Sequence, residues 1–374
     1  MLKSVKFSGF KIFKNETTID LVPTKSEILR EYNVCDGLLR GGLFFGSNAS
    51  GKTTALNAIS LLLDMLFKEF VFQDYNICYL SKDHIAKFEY SFVIDKQEIK
   101  YSFSIKKGGH IAKEDLFLND SQLINRIGTQ ATTSLIDSNE EKNVSSQRLY
   151  LRAIYFNNGF VDHPILQKWM KFLENSIYID NVSSKTVTFT SDAFKETYLV
   201  SYLEKYGVDE INEFLSECNI PFKLYYQKMT MFDNQHFINI IFDNLKTKCK
   251  IQYIYESYGN KLLLQLLPYI LRIKKTGGML LIDEFGGGLH NKLTELIVNY
   301  IYKKTTNIQL FAVTHETNLL KTSLIRPDQI FIIDYDVDGA NISKASNQSP
   351  RESQNLEKMY LSGVFGGIPL YVKD

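Results

Sequence analysis

Eight consecutive residues, Gly46-Ser47-Asn48-Ala49-Ser50-Gly51-Lys52-Thr53, fit the pattern G-x-x-x-x-G-K-[ST] of a phosphate-binding loop. A loop of this kind holds a polyphosphate because unpaired N–H groups at a helix N-terminus and the positive end of the helix dipole converge on one point. Gly46 and Gly51 allow the tight turn and close approach, and Asn48 and Ser50 belong to the same cradle. Lys52 is expected to reach the β- and γ-phosphates, and the Thr53 hydroxyl to ligate Mg²⁺. Thr54 is expected at the α-phosphate. The chemistry implied is binding of a nucleoside triphosphate with its magnesium, ATP or GTP.

The flanks agree with that reading. Gly42-Leu43-Phe44-Phe45 is a short apolar run suited to a buried strand, and Leu56, Ile59, Leu62, Leu63 and Leu66 recur at helical spacing. A second group lies far downstream, where Met279-Leu280-Leu281-Ile282 ends in Asp283-Glu284. A buried strand that delivers two carboxylates can hold the magnesium shell with Asp283 and activate the attacking water with Glu284. The run Gln309 to Val313 is another apolar strand and ends in Thr314-His315. Ligands of open α/β sheets gather at the carboxyl ends of strands, so His315 is expected near the γ-phosphate. Ser257-Tyr258-Gly259 precedes the helical run Leu262, Leu263, Leu266 and Leu267, with Ser257 as its N-cap. Asp334-Tyr335-Asp336-Val337-Asp338-Gly339 imitates a calcium loop, but its twelfth position is Ala345, and a hairpin turned at Asp338-Gly339 is the better reading.

Composition bounds the setting. Of 374 residues 44% are hydrophobic, enough for a sizeable core, and 43 Lys plus Arg against 42 Asp plus Glu leave no global field that would draw nucleic acid or membrane. Cys35, Cys78, Cys218 and Cys249 have no paired spacing, and the six histidines show no metal-ligand spacing. The N-terminus lacks the apolar core of a signal peptide, and no apolar run approaches the roughly 20 residues needed to cross a bilayer. A cytoplasmic protein without membrane contact is expected.

Along the chain, Leu2 to Ile19 alternates around a turn near Gly9 and reads, with the phosphate loop, as the start of an α/β layer. Lys87 to Ile94 and Glu98 to Ile105 alternate apolar with polar and read as an antiparallel hairpin turned at Asp95-Lys96-Gln97. Asn119 to Gln147 is rich in Ser, Thr, Asn and Gln and reads as an exposed connection. Helical signals dominate from Pro164 to about Leu224. The expected organisation is an α/β nucleotide-binding core split by an insertion: 1–156 with the phosphate loop and a β-rich lobe, 157–236 as an inserted, mainly helical lobe, and 237–374 as the remainder of the core.

With these pieces in order, the sequence resembles the ABC/SMC-like ATPases of the RecF and overcoming-lysogenization-defect type. Within them it is most similar to the RloA and AbiL type ATPases of prokaryotic phage-defence and abortive-infection operons. GSNASGKT, ESYGNKLL, LLIDEFGGGLH and AVTHETNLL match the motifs in order, and Leu2 to Phe13 and Tyr360 to Pro369 resemble the family's first strand and ending. The resemblance implies an ABC/SMC-like P-loop core and a homodimer or higher homo-oligomer. In it, Ser257 and Gly259 of one copy complete the ATP site built on Lys52, Asp283, Glu284 and His315 of another. Tyr258 and Asn260 depart from the family's usual smaller or acidic residue and Thr, and Gly286-Gly287-Gly288 suggests a flexible segment after Glu284. Gln73 and Gln97 are the candidates for a magnesium-sensing glutamine.

Three functions remain open at this point. The first is an ATPase sensor or scaffold of an antiphage system that controls a separately encoded effector, nuclease or Toprim-like, since the sequence shows no nuclease constellation of its own. The second is a repair ATPase binding DNA directly through Lys100, Lys106, Lys107 and Lys113. The third is a module that binds ATP without cutting it.

Overall fold

The computed structural model describes residues 1–136, 142–181, 183, 185–189, 198–230 and 236–368. Its centre is a seven-stranded sheet in the order Lys185–Thr188, Ile177–Asp180, Gly278–Asp283, Ile308–Val313, Gly41–Gly46, Ile330–Asp336 and Gly339–Lys344. The inner five strands run parallel and both edges are antiparallel. Strands buried on two faces read as continuous apolar runs, and Gly41–Gly46, Gly278–Asp283 and Ile308–Val313 are buried at every position. Alternate side chains feed two cores. Met279, Leu281, Phe311, Val313, Phe331 and Ile333 pack on one face, and Leu280, Ile282, Leu310, Ala312, Ile330 and Ile332 on the other.

The first core holds the helix Lys52–Phe67, which is sandwiched between this sheet and a second, antiparallel one. The second sheet has eight strands and includes Leu2–Ser8, Thr17–Asp20, Ile85–Ile94, Gln97–Lys106, His110–Leu118, Ser121–Ile127 and Gln130–Thr133. Tyr90 of that sheet donates its hydroxyl to the Ala58 carbonyl at 2.7 Å, a bond that spans the sandwich. The helix is therefore apolar nearly all round, beyond the single stripe expected from its leucines. The second core holds the helices Tyr258–Thr276 and Asn291–Lys304, with Tyr198–Tyr206 and Asp209–Glu217 against the first of these.

The hairpin expected near residue 95 is present, with strands paired from Ile94↔Gln97 to Ile85↔Lys106. Asp95 and Lys96 both have positive φ, as a two-residue primed turn demands. The hairpin at Asp338-Gly339 is present too, with Asp336 paired to Gly339.

Four expectations are corrected. Leu2–Ser8 and Thr17–Asp20 lie in the antiparallel sheet, because the first strand pairs with Ile85–Ile94 rather than with the phosphate-loop strand. Residues 121–133 form two further strands of that sheet; one polar face of an exposed sheet accounts for their Ser, Thr, Asn and Gln. The segment 157–236 carries helices, and it also lends Ile177–Asp180 to the central sheet as the parallel neighbour of Gly278–Asp283. The boundary at 236/237 falls inside a hairpin, since Phe222–Thr230 pairs with His236–Asn244, which also pairs with Lys250–Gln252 in a separate three-stranded sheet.

Candidate nucleotide site

The strands Gly41–Gly46, Ile308–Val313 and Gly278–Asp283 end at one edge of the central sheet, where a doubly wound fold places its ligands. The phosphate loop follows the first of them. Gly51 caps the helix with φ 111°, and a Cβ there would lie 2.7 Å from the Ile12 side chain, so this position requires glycine. The Lys52 ammonium is buried and donates to the Gly46 and Ser47 carbonyls at 3.1 and 2.8 Å. Burial lowers its pKa from the ordinary value, and the Glu284 and Asp283 carboxylates oppose that shift. Thr54 follows in the first helical turn, and Asn48 is exposed at the loop tip.

Asp283 stands at the end of its strand and faces the helix that carries Thr53. The Thr53 hydroxyl donates to Asp283 Oδ1 at 3.1 Å, which joins two motifs 230 positions apart. Asp283 is buried, and desolvation together with Glu284 and Asp180 raises its pKa while the Thr53 hydrogen bond opposes them. A hydroxyl and a carboxylate oxygen side by side are the two protein oxygens that magnesium uses beside phosphates. The Ser50 hydroxyl is buried in the loop without a protein partner, as suits a group that would bond a phosphate oxygen. The residues therefore fit a Mg²⁺-triphosphate: Thr53 and Asp283 would hold the metal, and the metal would neutralise charge on the phosphates.

Glu284 follows with φ 52°, a left-handed conformation that non-glycine residues rarely take. The strand between the loop and Asp283 delivers His315, whose Nε2 lies 4.0 Å from Glu284 Oε1. Burial and the Lys52 charge lower the His315 pKa, and Glu284 raises it. Its approach is fixed by Thr314, which donates to the Phe285 carbonyl at 2.6 Å and accepts from the Glu316 amide at 3.0 Å. Lys52, Thr53, Asp283, Glu284 and His315 thus form one cluster.

Ser257 and Gly259 do not join it. Ser257 caps the helix Tyr258–Thr276 by accepting from the Asn260 amide, and Gly259 packs against the Gly288 carbonyl. Gly286–Gly288 is a defined turn rather than a loose segment: Gly287 and Leu289 donate back to Glu284 and Gly286. A Cβ at Gly288, where φ is 84°, would lie 2.5 Å from the Tyr258 ring, so the unusual tyrosine and the glycine occupy each other's space. Tyr258 and its neighbours Ile254 and Tyr255 are largely exposed.

Sequence reasoning missed a group on Ile177–Asp180. Asp180 is in register with Asp283, and Tyr178 bonds Asn57 at 3.4 Å and lies against Asp283. Asn181 reaches the Glu284 carbonyl. The run Ile177-Tyr178-Ile179-Asp180 imitates Leu280-Leu281-Ile282-Asp283, which was the available signal. The C-terminal residues also touch the site: Gly367 donates to Asp334 Oδ1 at 2.7 Å and packs on Gly46, and Glu357 accepts from Thr317 at 2.7 Å.

No curated protein matches this chain. The fold is that of an SMC head domain. The chain is similar to the Smc head bound to the C-winged helix domain of ScpA, with a TM-score of 0.53 at 13% identity over 92% of this chain and 97% of that one. It is likewise similar to the SMC head domain from Thermotoga maritima, with a TM-score of 0.52 at 15% identity over 92% and 98%. The family model described as "AAA domain, putative AbiEii toxin, Type IV TA system" matches residues 43–321, a span that runs from the phosphate-loop strand past His315. The chain belongs to that AAA domain family.

Proposed function

We propose that the protein binds and hydrolyses ATP with Mg²⁺, and that it serves as the nucleotide-driven sensor or scaffold of an antiphage, abortive-infection system in the cytoplasm. The observation that carries the enzymatic part is the Thr53–Asp283 hydrogen bond, with Glu284 and His315 beside it. In this reading Lys52 neutralises the phosphates, Thr53 and Asp283 hold the metal, Glu284 takes the proton of the attacking water, and His315 contacts the γ-phosphate. Two copies close head to tail, so that Ser257 and Gly259 of one meet the nucleotide bound by the other. The exposed Ile254, Tyr255 and Tyr258 beside Ser257 suit a surface that a second copy covers. The family's description supports a toxin–antitoxin or defence setting, and the proposed output is control of a separately encoded effector, a nuclease.

Direct DNA binding is the weaker reading. Two of its lysines are paired with carboxylates, Lys100 with Glu89 at 3.5 Å and Lys113 with Asp115 at 2.7 Å, which leaves less cationic surface for phosphates. The test is turnover of ATP by the purified chain. Lys52→Ala is expected to abolish it, and Glu284→Gln to give an ATP-dependent dimer on a sizing column. Wild-type turnover by Glu284→Gln rules out Glu284 as the base.

A further inference from the structure

We infer that Asn181 is a positioning residue for Glu284, holding the backbone of the proposed base in the geometry that catalysis needs. The inference rests on the hydrolytic reading of Glu284.

Glu284 sits at φ 52° without being glycine. That conformation is strained for a residue with a side chain and persists only where the surroundings over-determine it. Its neighbours do so. The Glu284 amide donates to Asp283 Oδ1 at 3.2 Å, and the next amide, Phe285, donates to the Val313 carbonyl at 2.7 Å. The Glu284 carbonyl accepts from the Gly287 amide at 3.3 Å and from Asn181 Nδ2 at 3.2 Å. The Asn181 amide in turn donates to the Asp283 carbonyl at 3.3 Å. Asn181 thus grips the peptides on both sides of the Glu284 Cα, one with its backbone and one with its side chain. Apart from Asp283, it is the one side chain among the described residues bonded to the Glu284 backbone.

Its own place is fixed by the central sheet. Ile177–Asp180 runs parallel to the acidic strand with Asp180 opposite Asp283, so position 181 falls beside 284. Asp180 then closes the turn that follows, accepting from the Ser183 amide at 3.1 Å and its hydroxyl at 2.6 Å. Without the Asn181 side-chain amide, the Glu284–Phe285 peptide keeps only its bonds to Val313 and Gly287, and the strained φ is less firmly held against relaxing toward ordinary values. The carboxylate would then swing away from His315 and from the water it must activate. A general base works only within about 2.6–3.2 Å of its proton, and a displacement near 1 Å costs on the order of 100-fold in rate. Asn181 touches no reacting atom, so its effect must pass through Glu284.

The experiment compares Asn181→Ala and Asn181→Asp with the unaltered chain. Asp keeps the size and an acceptor but loses the donor, so it tests the hydrogen bond even where Ala perturbs the turn. Both variants are expected to lower kcat about 10–100-fold while KM and the affinity for a fluorescent ATP analogue stay within about twofold. In the Glu284→Gln background, Asn181→Ala is expected to add nothing to the loss, because the group it positions is already gone. Unchanged kcat in both variants overturns the inference. So does a loss that appears equally in KM and analogue binding, or one that repeats in full on Glu284→Gln. Lys52-dependent turnover of the unaltered chain is measured first. Its absence removes the hydrolytic reading and the inference with it, whereas its presence with unaffected Asn181 variants removes the inference alone.

Discussion

Asp283 shows why the cluster is poised rather than stable. Its folded-state pKa stands above the ordinary 3.8 because it is buried near Glu284 and Asp180. The stability it contributes is therefore present below pH 3.8 and lost as pH rises through the folded value, so at neutral pH its charge opposes folding. Asp283→Asn keeps an oxygen for the Thr53 hydroxyl, and it is expected to raise the thermal midpoint at neutral pH while ending Mg²⁺-dependent turnover. A lowered midpoint would contradict this. His315 has the opposite sign. Its pKa is held below the ordinary 6.5, so its contribution is present above that pH and fades as pH falls and the unfolded chain takes up a proton first. Since Lys52 is one cause, Lys52→Met is expected to raise the His315 pKa toward 6.5, by NMR titration of the ring proton. The loop, the Asp-Glu pair and the Thr-His end were legible in the sequence because each is a contiguous motif whose flanks reveal strand and helix. Asn181 and Tyr178 were not, because their roles come from the register of a strand about 100 positions from its partner, which no local pattern encodes.

At the level of elements, the turn after Glu284 and the start of the helix Tyr258–Thr276 act as one unit. Gly288 combines a left-handed φ with a Tyr258 ring where its side chain would stand. Gly288→Ala is expected to lower stability by about 1–3 kcal/mol, from backbone strain and overpacking together. Tyr258→Ser should relieve the packing part, so the double variant recovers part of the loss in a urea melt; strict additivity would show that the two do not share space. Period-two alternation made the hairpin at Asp95-Lys96 legible. The strands at 121–133 were hidden because a polar outer face leaves few apolar positions, Ile124 and Ala131 among them, to mark the period. The helix Lys52–Phe67 was legible as a helix but not as a sandwiched one, since the second sheet that covers it is assembled from strands spread between Leu2 and Asn143.

For the whole molecule, the split core was legible from the distance between the loop and the acidic strand, and the likeness to SMC heads bears out that fold. Which strands belong to which sheet was not, because pairing partners such as Leu2–Ser8 and Ile85–Ile94 are far apart in sequence and both alternate alike. In the proposed dimer a second copy completes the site: Lys52, Asp283, Glu284 and His315 cluster in one chain, whereas Ser257 caps its helix and Gly259 packs against the Gly288 carbonyl. The most direct measurement is therefore complementation between Lys52→Ala and Ser257→Arg, each expected to be inactive alone in ATP turnover. Mixed in equal amounts, they should recover about a quarter of the wild-type rate, since half the dimers are mixed and each mixed dimer carries one intact site. A mixture as inactive as its components, with mixed dimers shown to form, would contradict a site shared between two copies of the chain.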